Sequence, residues 1–182
     1  ERLVAAYLNA ARLGQQELER QYQQRDLTSE HWTPTFLANV EPDARTTLEA
    51  FGASDDGYFL FPFNRAAVAE LAREGCMQDG RLVYNPRYVI QNIINKVLRH
   101  RSLFEQAAFP PSSFGSRTVT AKVLEDVKKK VPAAQLDRYL RFLPYWGGLP
   151  GTPTDVASIP ERIFAAFDLS GAAFLRKGKP SP

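Results

Sequence analysis

The chain has 182 residues, of which 44% are hydrophobic and 24% charged. It can therefore bury a core, and its composition excludes an intrinsically disordered polymer. A net charge of +3 is too small to imply a nucleic-acid partner by itself, and no run of 18 apolar residues is present to span a membrane. The one cysteine, Cys76, rules out an intramolecular disulfide and a cysteine-based zinc site, and suits a cytoplasmic setting.

Residues 1–25 carry Leu3, Val4, Tyr7, Leu8, Ala11, Leu18 and Tyr22 at three-four spacing, which predicts a helix. Gly14 marks a bend or a close contact within it. The half after Gly14 is rich in Gln and Glu and reads as solvated, or as reaching toward a missing partner. Because Glu1 already reads as mid-helix, the chain is expected to be a piece of something larger. A connector follows, with a short helix expected around residues 36–40. Residues 43–52 predict a short helix stopped by Gly52. "SDDG" reads as a turn and "YFLF" (58–61) as a strand.

Asn64 reads as the cap of a helix over 65–74, closed by Gly75. "RLVY" (81–84) reads as a second strand, and the two strands are expected to flank that helix and pair as a ribbon. Asn85 and Pro86 then start a helix that runs to about His100, and "SLFEQAAF" continues it after a bend. "PPSSFGS" is a loop. Thr120 caps a helix over 121–130, and Pro132 opens another through "AAQLDRYLRFL". "PYWGGLPGTPTDVAS" reads as a connector, "PERIFAAFDL" as a last helix and "RKGKPSP" as a frayed tail. The expectation is a mainly α fold, a multi-helix lid or winged-helix-like bundle with two short β-strands. Its parts are expected at 1–40, 41–115 and 116–182.

Two stretches concentrate positive charge. Residues 81–101 hold Arg81, Arg87, Lys96, Arg99 and Arg101 and no acid, beside Val89, Ile90, Ile93, Ile94, Val97 and Leu98 at helical spacing. Residues 117–141 hold Arg117, Lys122, Lys128, Lys129, Lys130, Arg138 and Arg141 against Glu125, Asp126 and Asp137. Asn85 and Arg87 stand at a helix N-terminus, where free N–H groups and the dipole favour an anion and an arginine adds a bidentate donor. The same residues also read as an ordinary helix start with Arg87 paired to a surface carboxylate. Gln91, Asn95 and Arg99 are expected on one polar row near Arg87, with Lys96 alongside. That row suits a nucleic-acid backbone or plain solvent. Lys128, Lys129 and Lys130 end a helix, where they complement its dipole or meet a phosphate. Tyr139, Phe142, Tyr145 and Trp146 read as core or docking residues ahead of a base-stacking platform.

The sequence has no phosphate-cradling G-x-x-x-x-G-K-[ST], no G-x-G-x-x-G and no G-x-S-x-G elbow. His31 and His100 belong to no metal-spaced cluster, and Asp55-Asp56 is explained by turn chemistry. No catalytic or metal-binding residue is therefore nominated, and a self-contained enzyme is not expected.

Three segments taken in order carry a resemblance: "GYFLFPFNRAAVAELARE"; "GRLVYNPRYVIQNIINKVL" leading to "FEQAAFPPSSFG"; and "RYLRFLPYWGG" with "IPERIFAAFDL". Together, over residues 45–169, they resemble the helical region beyond the nucleotide-binding core of bacterial phage-defence P-loop ATPases of the AAA+/STAND-like kind. The nearest type is the ATPase of phosphorothioation-dependent DNA restriction (the Dnd/Dpt and Ssp-like systems). The resemblance implies an accessory domain that couples nucleotide state to DNA or partner recognition, without catalysis of its own. ATP and Mg²⁺ would belong to the parent chain, and the partners would be other subunits of a defence complex and double-stranded DNA, with no membrane. Arg87, with Asn85, maps to a nucleotide-sensing position. Lys96, Arg99, Arg101, Lys128, Lys129 and Lys130 become DNA- or partner-binding candidates. The rival expectations are a stand-alone helical DNA-binding module, with helix 86–100 as reader and the strands as a wing, and a pure protein-interaction scaffold.

Overall fold

The computed structural model describes residues 1–26, 28, 32–36, 40–114, 119–148 and 156–174. The chain is mainly helical with one two-stranded antiparallel ribbon, and it divides into two compact units, Glu1–Arg65 and Ala66–Pro182. The short helix expected near residues 36–40 and the expected tail fall largely outside the described residues, as do His31 and Arg117.

In the first unit, α1 (Arg2–Leu13) and α2 (Gln15–Gln24) are separate helices. Gly14 parts them at φ +77°, a left-handed backbone that glycine adopts without strain, and a Cβ there would meet nothing within 4 Å. The glycine therefore breaks the single helix expected over residues 1–25 into two, and makes no close contact. α1 buries Val4, Ala5, Leu8 and Asn9, whereas α2 buries nothing, which matches its polar composition. α3 (Pro42–Phe51) has proline in its first turn and ends at Gly52, φ +83°; it contributes Leu48 and Phe51 to a core with Tyr58, Leu60 and Phe63.

Three polar side chains hold the loops of this unit. Asn9, 1% exposed, donates to the Pro34 carbonyl at 2.9 Å and accepts from the Phe36 amide at 2.8 Å. Arg12 donates to the carbonyls of Phe59 and Phe61, and burial lowers its pKa. Tyr58 donates its hydroxyl to the Thr33 carbonyl at 2.8 Å. Asp55 and Asp56 lie in a turn and pair with Arg65 and Arg2.

The expected strand at "YFLF" does not form. Phe59 makes a single bridge to Ala53, and Phe61 leads into a turn. The ribbon lies elsewhere, so the expectation that its strands flank the helix over 65–74 is corrected. α4 (Arg65–Gly75) is followed directly by β1 (Met77–Gln78) and β2 (Arg81–Leu82), with Met77 opposite Leu82 and Gln78 opposite Arg81. Asp79 (φ +49°) and Gly80 (φ +75°) make the two-residue turn. An Asp-Gly pair with both residues left-handed matches the twist of a tight hairpin.

The second unit is organised by a long rod and an aromatic core. Pro86–Tyr88 and Asn95–Leu98 flank a π-helical stretch, Val89–Ile94; the three form one continuous helix over residues 86–98, α5. Beyond it lie α6 (Ser102–Glu105), α7 (Ala121–Lys130), α8 (Ala133–Trp146) and α9 (Glu161–Ala165). Asn85 caps α5 by accepting from the Arg87 amide at 2.9 Å, and Thr120 caps α7 by accepting from the Val123 amide. α8 carries Pro144 inside it and extends to Trp146, so the first three residues of the expected "PYW…" connector are helical. Tyr139, Phe142, Tyr145 and Trp146 are all at most 2% exposed. They pack with Phe109, Phe114, Phe164 and Phe167 through edge and stacked contacts, among them Phe142 parallel to Trp146 at 5.5 Å. These aromatics are core, with no face left for bases.

Two cations of the second basic stretch are internal fixtures. Arg138 donates to the Phe109 carbonyl at 3.1 Å and the Phe167 carbonyl at 2.6 Å, and burial lowers its pKa. Arg141 donates to the Pro110 carbonyl at 3.0 Å.

Candidate functional site

The second unit carries an open cleft of about 530 Å³ lined by Glu74, Gly75, Gln91, Asn92, Lys96, Arg99 and His100. The end of α4 forms one wall and the π-helical part of α5 with its C-terminal turn forms the other. A volume in this range suits a small ligand.

The walls meet closely because residue 75 is glycine. A Cβ there would stand 2.4 Å from the Asn92 Cβ, a separation no pair of carbons tolerates. With hydrogen in its place, Asn92 donates its amide to the Gly75 carbonyl at 2.5 Å. That bond satisfies one of the carbonyls a helix end leaves without a partner. The Asn95 amide bonds back to the Ile90 carbonyl, five residues earlier, which is the π pattern.

The wall of the cleft follows Asn92, Lys96, Arg99 and His100 at three-four spacing, together with Gln91; Asn95, expected on one row with Gln91 and Arg99, is not part of it. Val89, Ile93, Ile94 and Val97 remain buried on the opposite side, as the apolar spacing requires.

Lys96 is not a free cation. Its ammonium pairs with the Glu74 carboxylate and lies 5.0 Å from the Phe114 ring centre and 5.7 Å from that of Tyr145. Glu74 in turn accepts from the Tyr145 hydroxyl at 2.8 Å. The acid, the lysine and the phenol thus make a neutralised floor tied to the aromatic core. Arg99 is exposed and has no ion-pair partner among the described residues, and His100 is half-buried beside it.

The other candidate residues are spread over the unit. Asn85 and Arg87 stand at the start of α5 and do not line the cleft; Arg87 is exposed and its side chain has no ion-pair partner among the described residues. Arg101 is likewise exposed, just beyond α5, and has no ion-pair partner among the described residues. Lys128, Lys129 and Lys130 end α7; Lys129 pairs with Glu125 at 3.6 Å and Lys130 with Asp126 at 3.4 Å, one turn earlier. Lys130 also lies 5.5 Å from the Phe174 ring centre. Of the candidate set, Lys96 and Arg99 line the cleft.

Glu74, Gly75, Asn92 and His100 complete the site, and the sequence does not single them out for it. Gly75 reads as a helix stop, and its close contact leaves no local trace. Glu74 reads as an ordinary helical acid, since its lysine lies 22 positions away. The Asp-Gly pair at 79–80, by contrast, is a readable hairpin signal. Among the described residues no group of three metal-ligating side chains occurs, and no helix is long and apolar enough to cross a membrane. The chain matches no family model, no curated protein and no solved structure.

Proposed function

We propose that this chain is a non-catalytic helical recognition module that grips the phosphate backbone of double-stranded DNA. The reading is carried by one observation: Arg81, Arg87, Arg99 and Arg101, from a stretch without an acidic residue, are all exposed and have no ion-pair partner among the described residues. Backbone recognition requires charge in solvent and little else. Arg138, Arg141, Lys96, Lys129 and Lys130 are committed to carbonyls or acids of the chain itself. A salt titration of duplex binding tests the reading. Four phosphate contacts give a log–log slope of about −3 to −4, and each arginine-to-alanine change makes it shallower by about 1. A flat slope, or no binding at low salt, ends it.

A second reading follows from the capped helix start. Asn85 fixes the first turn of α5 and leaves the Arg87 guanidinium in solvent. In a larger ATPase of the phage-defence kind that the three segments resemble, that arginine would meet a nucleotide's terminal phosphate and report it to the DNA-gripping face. Arg87→Ala in the intact protein should then lower ATP turnover without unfolding the chain. Unchanged turnover removes Arg87 from that role.

A further inference from the structure

The cleft between the end of α4 and the π-helical wall adds chemistry that backbone gripping, with which it shares Arg99, does not require. Its floor is neutral, because Lys96 and Glu74 cancel. The charge that remains uncompensated on its wall is Arg99, next to the imidazole of His100 and the carboxamide of Gln91. These supply a planar fork of N–H donors, a ring N–H and an amide NH₂ along one wall. The floor is held rigid from behind by the Tyr145 hydroxyl on Glu74 and by Asn92 on the Gly75 carbonyl. The π-helical segment is an independent sign. Such segments are rare, persist only where their surroundings over-determine them, and concentrate at functional sites. Here it carries Gln91 and Asn92, two of the residues that line the cleft.

We propose that this cleft is a binding site for a phosphate monoester, seated by Arg99 and His100 with Gln91 reading the attached group. A monoester carries about −1.5 to −2 charge and three acceptor oxygens, which match a guanidinium fork plus a neighbouring ring N–H. A diester offers one negative charge and two free oxygens, so the site favours a terminal phosphate over a backbone one. The inference shares Arg99 with duplex gripping, which draws besides on Arg81, Arg87 and Arg101 outside the cleft and is read by a different assay.

Free phosphate, a mononucleotide and the 5′-phosphorylated end of a DNA strand share this chemistry. Amide chemical shifts of the full chain would be followed while inorganic phosphate, adenosine monophosphate, dimethyl phosphate, and a short oligonucleotide with or without a 5′-phosphate are added separately. The expected result is saturable shifts centred on Gln91, Asn92, Arg99 and His100, with dissociation constants of about a millimolar or tighter for at least one monoester. Dimethyl phosphate should bind at least about ten-fold more weakly. A mononucleotide that outcompetes inorganic phosphate identifies a small-molecule site, and a 5′-phosphate requirement on the oligonucleotide identifies a strand end. Arg99→Gln, an exposed change that leaves the fold intact, should weaken binding by about ten-fold or more, whereas Lys128→Gln on α7 should not. Shifts that never saturate, that spread equally to the α7 lysines, or that survive Arg99→Gln overturn the proposal. Loss of duplex binding with retained monoester binding would sink only the backbone reading.

Discussion

Gly75→Ala isolates the contact on which the cleft depends. The new methyl carbon would stand 2.4 Å from Asn92 Cβ and 3.3 Å from its Cγ, so the end of α4 and the wall of α5 must separate by more than 1 Å to reach ordinary carbon contact. Overpacking of this kind costs about 1–3 kcal/mol. The same displacement stretches the 2.5 Å bond from Asn92 to the Gly75 carbonyl, worth about 0.5–1.5 kcal/mol. Alanine's better helix propensity returns at most about 1 kcal/mol, and less at the last residue of a helix. The net expectation is a destabilisation of about 2 kcal/mol. With a urea dependence of about 1–3 kcal/mol per molar, the unfolding midpoint should fall by about 1 M. Asn92→Gly supplies the control, because it removes the carbon that the new methyl strikes. In that background Gly75→Ala should be neutral or slightly stabilising, giving a coupling of about 2 kcal/mol in the double-mutant cycle. An unchanged or raised midpoint for Gly75→Ala alone would refute the reasoning, and so would an equal loss in both backgrounds.

Two further predictions concern groups away from the cleft. Arg138→Met keeps the apolar stem but leaves the Phe109 and Phe167 carbonyls without their donor, so chemical denaturation should show a loss of about 2–3 kcal/mol; a loss under about 0.5 kcal/mol would mean water replaces the guanidinium freely. On α2, the hydrogen bond from Arg20 and then that from Gln21 hold the Glu17 carboxyl at about 2, against an ordinary 4.5. A depressed folded-state value means the interaction contributes fully above the unfolded value and is lost as pH falls from about 4.5 through about 2. Carboxyl carbon resonances should place the Glu17 midpoint near 2, and Arg20→Gln should return it toward 4.5. A wild-type midpoint already near 4.5 would show that the pair is not held in solution.

The local grammar of the chain is largely legible in its residue order. Asn85-Pro86 and Thr120 announce helix starts, Pro132 precedes α8, and Gly52 ends a helix, because capping and backbone freedom are decided within three or four residues. Three-four spacing likewise assigns the buried side of α5. The hairpin is legible too, in Asp79-Gly80, but the apolar run at 58–61 is the stronger strand signal by composition. That run finds core on alternate residues and no partner strand beyond one bridge.

What the sequence determined by itself is a mainly helical chain with these starts and stops, one apolar side to α5 and an acid-free basic stretch. Only the tertiary structure decided which cations remain free. Lys96 meets Glu74 across 22 positions and Arg138 meets two carbonyls each 29 positions away, and no short window along the chain contains both partners. Only the tertiary structure, too, brought the end of α4 against the π-helical stretch, where the hydrogen of Gly75 leaves room for Asn92. Propensity acts through neighbours in sequence; charge availability and close approach are settled by neighbours in space.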